Sequence, residues 1–433
     1  MMNKLLKYQD KKVFKRFDNL ILKLFSIDEV GWKIDFKIAL FAFAITIFFA
    51  FPSLWLYFRP DKAGRLMYQM LQAENPLNRD LPLTAQLLSY RFFVPTLNYF
   101  LGLRGYSVVL IPVISSFVNL YLISRIIRKS TKDILFSVIC VIGISLTWFI
   151  AEGTAFWNTT DSVSHLLLLL PAAFKLNPIY FIFALPSALF VDERSIFASA
   201  FLWLFLMRRN LMCEDDLNKI ENNFLNLKIT RNLLLNTFSM FIGFVLWMLG
   251  RYIIDSEIIA PAPNIIVVTS QISNFWEFFP KYWPPQILNL LSSFKWVFFF
   301  PLFLIIKLFK KSSNSFRKIY GFNFKGYIGI HILLFLFYSS IVMINGDVWR
   351  SVSFTYFFIL ESILILYTIN KELISLLNYW ITMLMLATPV CFFGMNLTPQ
   401  ISFPLPIVLL RTYFGFGETY MMFLKKLFIY VPS

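Results

Sequence analysis

Cysteine is scarce in this chain, and the strong signatures of soluble catalysis are missing. Only three cysteines occur in 433 residues, Cys140, Cys213 and Cys391. They lie far apart, so neither a disulfide framework nor a zinc spacing can be read. There is no phosphate-binding Gly loop, dinucleotide fingerprint or nucleophile elbow. No internal repeat stands out, which weighs against an inverted-repeat transporter. A cleavable leader is not expected, because Lys4 to Lys37 is too polar and too long ahead of the first apolar run. Charge is thin too: Asp, Glu, Lys and Arg make up 15% of the chain, with 24 acidic against 40 basic residues. A net charge of +16 would suit nucleic acid if it formed one face. Instead Lys and Arg gather in short stretches between apolar runs, the positive-inside pattern, so no nucleic-acid partner is expected.

What remains is apolar. The chain is 58% hydrophobic and 19% aromatic, with a mean hydropathy of +0.66. A soluble domain of this size does not tolerate that surface, so membrane lipids are its expected solvent. Spans must then be helical, since hydrocarbon leaves no backbone group unpaired. The expected fold is an all-α polytopic membrane protein of about eleven or twelve transmembrane helices. The abundance of Phe, Ile, Asn and Lys fits an AT-rich bacterial genome and hence a bacterial inner (plasma) membrane.

The hydropathy pattern divides the chain. Residues 1–37 read as a cytoplasmic, basic interfacial helix, with Phe14, Phe17, Ile21 and Leu24 at helical spacing among Lys12, Lys15, Arg16 and Lys23. That flank sets the first span, about 38–58, running outward from a cytoplasmic N-terminus. A first membrane module covers 38–210 and includes an outer loop at 59–104. A polar cytoplasmic loop at 211–231 follows. A second membrane module covers 232–433, with an outer loop at 251–292. The runs 162–174, 178–191 and 195–207 are shorter than the roughly 20 residues of a full crossing.

Counting crossings puts several charged groups on one, outer side. Asp61 follows the first span, Glu152 to Asp161 follow the third, and Asp192-Glu193-Arg194 fill a tight bend between apolar runs. Asp347 and Arg350 close a later span on the same side. Charge beside hydrocarbon is costly and tends to be functional. Each position also has a plainer reading. Asp61 can simply end a helix, and Asp161 suits an N-cap. Arg194 can pair with Asp192 or Glu193, and Arg350 can anchor at the interface. His165 is expected to be packed and hydrogen-bonded. Glu361, alone within a span, should face the bundle interior, with His331 as a candidate partner.

With these residues placed, the layout resembles the polytopic GT-C glycosyltransferase fold. Asp61 and the Tyr90-Arg91 to Pro95 stretch match that class's acidic residue after the first span and Pro-containing end of the first outer loop. Asp161-Ser162 matches its acidic opening of the span after the third. Val191-Asp192-Glu193-Arg194-Ser195, leading to Arg208-Arg209, is similar to its short charged turn, with Asp-Glu-Arg where Lys is more usual. Asp347-Val348-Trp349-Arg350 is similar to the acidic-and-Arg opening of a late span. The resemblance implies a polyprenyl-phosphate-linked sugar donor and a glycan, lipid or protein acceptor. It implies Asp61 as general base, with Asp161 as a second catalytic carboxylate that orients the sugar. Arg91, Arg194 and Arg350, with Asp192, Glu193 and Asp347, would bind the donor and its phosphate. Asp161 or Asp192 could instead hold a divalent cation, Mg or Mn, which the sequence does not demand. Three rivals stand beside this reading: a surface-polysaccharide (O-antigen-type) polymerase or ligase, a lipid or glycan transporter, and a non-catalytic membrane partner whose charges pair internally.

Overall fold

The computed structural model describes residues 31–49, 64–76, 91–154, 160–174, 176–212, 231–253, 290–310, 324–344 and 348–388, with short pieces within 19–25 and 390–406. Asp61 and Asp347 lie outside the described residues, as do most of the expected N-terminal interfacial helix and of the expected outer loop 251–292, and residues 59–63 and 77–90 of the expected outer loop 59–104.

The first long helix, α1, is Gly31–Phe49, so it begins ahead of residue 38, where the first span was expected. The short α2 (Gly64–Glu74) and α3 (Phe93–Phe100) lead to α4 (Leu110–Thr131). A partner allows the early start of α1. Asp35 is fully buried, and Arg128 of α4 donates to it through Nε at 2.6 Å and Nη2 at 2.8 Å. A bidentate guanidinium–carboxylate pair of this kind tolerates burial that a lone carboxylate does not.

Helix α4 ends at Lys132, whose left-handed backbone (φ 55°) returns its N–H to the Arg128 carbonyl. Asp133 then caps α5 (Ile134–Ser145) by accepting from the Phe136 N–H at 3.0 Å. The expected third span, 134–151, breaks here. Helix α5 and α6 (Trp148–Thr154) meet at 62°. The break frees carbonyls, and neighbours take them up: Thr46 of α1 donates to Ser145 O at 2.9 Å, and Ser116 of α4 to Ile150 O at 3.1 Å. Buried backbone groups need such partners.

Helices α7 (Asp161–Ala173), α8 (Tyr180–Val191) and α9 (Ser195–Met212) follow with short connections, and then α10 (Arg231–Ile253). Next come α11 (Phe299–Lys310), α12 (Phe324–Ile344), the short α13 (Val348–Ser353), α14 (Tyr356–Ile369) and α15 (Lys371–Ala387). Helix α4 packs against α1, α5, α6 and α7, while α14 packs against α9, α11 and α15. Every residue of α14 from Tyr356 to Tyr367 is buried. A helix apolar all round belongs at the centre, and this one supplies most of the core's C-terminal half. By contrast α10 turns Phe238, Phe241 and Tyr252 outward and buries a narrow stripe against α8.

Among the described residues the departure from helix is one antiparallel pair, β1 (Cys391–Phe393) with β2 (Pro399–Ile401). The expected eleventh span, 374–394, therefore ends as helix at Ala387.

Among the described residues, three stretches are long and apolar enough to cross a membrane: Gly105–Thr131, Arg231–Ile253 and Leu290–Lys307. The broken α5–α6 pair makes a fourth if it counts as one span. Other apolar helices among the described residues are shorter: α7, α8 and α14 have 13, 12 and 14 residues. At about 1.5 Å per residue they reach only roughly 20 Å, against a hydrocarbon core of about 30 Å.

Candidate functional site

Of the charged residues singled out in sequence, Arg91, Glu152, Asp161, Asp192, Glu193, Arg194 and Arg350 converge where the ends of α6, α7, α8 and α9 meet α13, whereas Asp61 and Asp347 lie outside the described residues. Local chemistry aims each of them. Asp192 terminates α8 in extended backbone, and its Oδ1 accepts from the Arg194 backbone N–H at 3.0 Å, which closes a tight turn. Ser195 opens α9, and its hydroxyl lies 2.9 Å from Ala188 O and 2.5 Å from Ser164 Oγ of α7. Ser162 of α7 donates to Pro112 O at 3.0 Å, and Asn119 of α4 donates to Ser162 O at 2.9 Å. Below the charges, Val94, Val163 and Val191 form one small apolar cluster. That trio joins the segments bearing Arg91, Asp161 and Asp192.

Asp161 is not an N-cap. Thr160 holds that position without a side-chain bond, and Asp161 is the first helical residue of α7. Its carboxylate is fully buried and lies between two guanidiniums. Arg350 reaches it from Nη2 to Oδ1 at 2.7 Å and from Nε to Oδ2 at 3.1 Å. Arg194 reaches Oδ2 from Nη2 at 3.2 Å.

Arg194 also grips Asp192 in a fork, Nε to Oδ1 and Nη2 to Oδ2, both 2.6 Å. Its Nη1 donates to Ser351 Oγ at 2.9 Å, and its guanidinium stands over the Phe354 ring at 5.2 Å. Of the two expected acid partners, Asp192 is the one it takes. Glu193 faces the other way, toward Arg91 at 3.0 Å and Arg251 at 3.4 Å. Arg91 in turn touches Asp192 Oδ2 at 2.7 Å.

Arg350 is not an interfacial anchor. It is 2% exposed and ranks among the largest fully buried side chains. Besides Asp161 it donates through Nε to Glu152 Oε1 at 3.0 Å. Glu152 was legible only as one end of an acidic stretch. The 62° break between α5 and α6 carries it to a guanidinium 198 residues away in sequence. Ser351 and Arg251 gave no sequence signal of their own.

The cluster thus joins four carboxyl side chains (Glu152, Asp161, Asp192, Glu193) to four guanidiniums (Arg91, Arg194, Arg251, Arg350). Exposure is graded across it. Asp161, Asp192 and Glu152 have no side-chain exposure, Arg91 has 23%, and Glu193 and Arg251 have 32%. Burial alone would raise the pKa of Asp192, in its turn between helices. The neighbouring Arg194 and Arg91, with Arg350, outweigh that and hold it well below the usual carboxylate range.

The donor set does not suit a divalent ion. Among the described residues no group of three His, Cys, Asp or Glu side chains could hold a metal. The buried carboxylates here are spent on guanidiniums, so no step is routed through Mg or Mn.

Two other expectations meet different partners. His165, one turn along α7 from Asp161, is buried against the rings of Phe149, Phe354 and Tyr356, with centroids 4.7, 4.7 and 5.0 Å away. Neither of its ring nitrogens has a hydrogen-bond partner among the described residues, so it is packed but not bonded as expected. Glu361 does face the interior, but it pairs with Arg208 of α9 and accepts from the Tyr327 hydroxyl at 2.6 Å. His331 instead sets Nδ1 3.1 Å from Tyr327 O. Arg208, expected in a cytoplasmic basic flank, is buried by that ion pair.

No family model matches the chain, and neither a curated protein nor a solved structure matches it significantly.

Proposed function

We propose that the chain is a polytopic membrane glycosyltransferase of GT-C type. It moves a sugar from a polyprenyl-phosphate donor to a glycan, lipid or protein acceptor at the outer leaflet of a bacterial inner membrane, with its N-terminus cytoplasmic. The observation that supports this reading most is the meeting of Arg194 and Arg350 over Asp161, with Arg91 at the half-exposed edge. In the transfer, the acceptor hydroxyl attacks the anomeric carbon and gives its proton to Asp61. The bond from that carbon to the lipid phosphate breaks, and the phosphate leaves with the electron pair. Preorganised guanidiniums stabilise that developing charge in a dry setting. Asp161 and Glu152 hold Arg350, and Asp192 holds Arg194, so the donors need little reorganisation as the bond breaks.

The pairing bears on how a phosphate gets in. Every arginine of the cluster already meets a carboxylate, so a phosphate must displace one. Glu193 is the most exposed acid of the cluster, and it meets the two partly exposed arginines, Arg91 at 3.0 Å and Arg251 at 3.4 Å. Glu193 is therefore the group that gives way, and Arg91 receives the phosphate first. A polymerase or ligase of surface glycan would use the same donor and the same arginines.

The test is direct. Protein purified from the membrane is analysed by mass spectrometry for co-purifying lipid, then reconstituted with a sugar-loaded polyprenyl phosphate. A polyprenyl-phosphate species and sugar transfer that Asp61→Ala and Arg350→Gln abolish are the expected results. Normal product from a stably inserted Asp61→Ala removes the general-base assignment, and no transfer by the wild type removes the enzyme.

A transporter is the second reading, and one observation favours it. Glu361, Arg208, Tyr327 and His331 form a buried polar set within helices α9, α12 and α14. Ionisable groups at such depth often mark a transport path. Counterflow of labelled polyprenyl phosphate between leaflets of proteoliposomes, without sugar transfer, would select this reading over the enzyme.

A further inference from the structure

Helix α12 bears two buried tyrosines on one face, Tyr327 and Tyr338, three turns apart at about 3.6 residues per turn. Each reaches a different level of the bundle. Tyr327 donates to Glu361 Oε1 at 2.6 Å and lies 3.0 Å from Leu204 O, deep between α9 and α14. Tyr338 donates to Ser351 O at 2.7 Å, and its ring stacks on Phe197 of α9 with centroids 4.1 Å apart. Ser351 follows Arg350 directly, and its own hydroxyl accepts from Arg194 at 2.9 Å. Ser353 Oγ donates to Arg350 O at 2.5 Å, so this turn is pinned at two carbonyls. One phenol therefore holds the backbone on which both buried guanidiniums depend. The Arg350 segment is a six-residue helix, too short to fix its own position by helical hydrogen bonding.

We infer that Tyr338 is a positioning residue: through the Ser351 carbonyl it sets where Arg350 and Arg194 present their guanidiniums to a departing phosphate. What the arginines do rests on the glycosyl-transfer reading, whereas where they are held does not. Tyr327 is the internal control, the same chemistry on the same helix face but at the level of Glu361.

Tyr338→Phe keeps the ring and its stack on Phe197 and deletes the hydroxyl alone, and Tyr327→Phe does the same three turns away. Both are compared with wild type in lipid nanodiscs supplied with a sugar-loaded polyprenyl phosphate. Tyr338→Phe is expected to lower kcat about tenfold with the donor KM within about twofold, because the misplaced charge is felt in the transition state. Tyr327→Phe is expected to leave kcat within about twofold. Amide exchange across residues 350–355 is expected to rise about tenfold in Tyr338→Phe and to stay at the wild-type rate in Tyr327→Phe. Equal losses of kcat in the two variants, or an unchanged kcat in Tyr338→Phe, overturn the positioning role. Unchanged exchange at 350–355 overturns it as well. If the wild type transfers no sugar, the enzymatic reading fails, and the exchange comparison still decides whether Tyr338 holds the Arg350 turn.

Discussion

Two of the ion-pair networks buried among the described residues, those at Asp161 and at Glu361, are built differently. The cluster at Asp161 draws on α6, α7, α13, the turn between α8 and α9, and the approach to α3, and it continues outward to the half-exposed Arg91, Glu193 and Arg251. The cluster at Glu361 lies inside α9, α12 and α14, and Glu361 and His331 are both fully buried. Both charge sets are paired, as buried charges must be. In the first, Asp161, Asp192, Arg194 and Arg350 are each shared among several partners and the whole is graded toward the surface. In the second, one acid meets one guanidinium beside one phenol. A shared network that reaches the surface can exchange a partner for a ligand, whereas the Glu361 pair has no partly exposed arginine to offer one; the proposed transfer chemistry therefore sits at the first cluster.

The comparison breaks most readily at Arg350. Arg350→Met leaves Glu152 and Asp161 buried without their shared counter-charge and should cost about 3–5 kcal/mol, read as a large loss of thermal stability in detergent. Arg208→Met should destabilise by about 3 kcal/mol for the same reason, but the double variant Arg208→Met with Glu361→Leu should return to within about 1 kcal/mol of wild type. The matching pair at the first cluster, Arg194→Met with Asp192→Leu, should not recover, because Arg91, Asp161 and Ser351 lose partners too. Equal recovery at both clusters would erase the distinction between them.

Acid titration gives a smaller effect. The folded pKa of Asp192 is depressed, so its contribution is present above the ordinary carboxylate value, about 4, and is lost as pH falls from there toward the folded value. Thermal stability should therefore drop more steeply below pH 4 in wild type than in Asp192→Asn, and parallel curves would count against the network as drawn.

The smallest change is expected outside both clusters, at Asp133. Burial there tends to raise its pKa, but the Phe136 N–H, with Lys371 and Tyr367, brings it down. Removing this cap with Asp133→Ala should cost about 1 kcal/mol in a melting experiment and leave transfer intact.

How much of this was legible depended on the kind of information. The helical class, the shortness of the runs 162–174 and 178–191 and the charged bend at Asp192-Glu193-Arg194 could be read locally, because apolar runs and charge are local signals. Asp161, Asp192, Arg194, Arg350, Arg91 and Glu193 all stand out in the sequence. Their partners do not. Glu152 reads in sequence as the start of the acidic stretch after the third span, without a partner, because nothing in residues 145–148 announces a 62° break. Glu361 was matched to His331, its apolar neighbourhood's nearest titratable group, when a residue from a basic flank closes the pair. Asp161 looked like a cap because Asp before an apolar run usually is one.

Composition and hydropathy by themselves determined that the chain is apolar helix with charge confined to helix ends and a few interior positions. Hydrogen bonding within each helix is local, so the residues that form it carry their own instructions. Which charge meets which was decided only by the tertiary structure. Arg350 and Asp161 are 189 positions apart, and their 2.7 Å contact depends on where α7 and α13 end, on how α5 and α6 break, and on a tyrosine of α12 that holds the turn between them. Such a contact is the sum of several helix lengths and packing angles, and no stretch of sequence contains that sum.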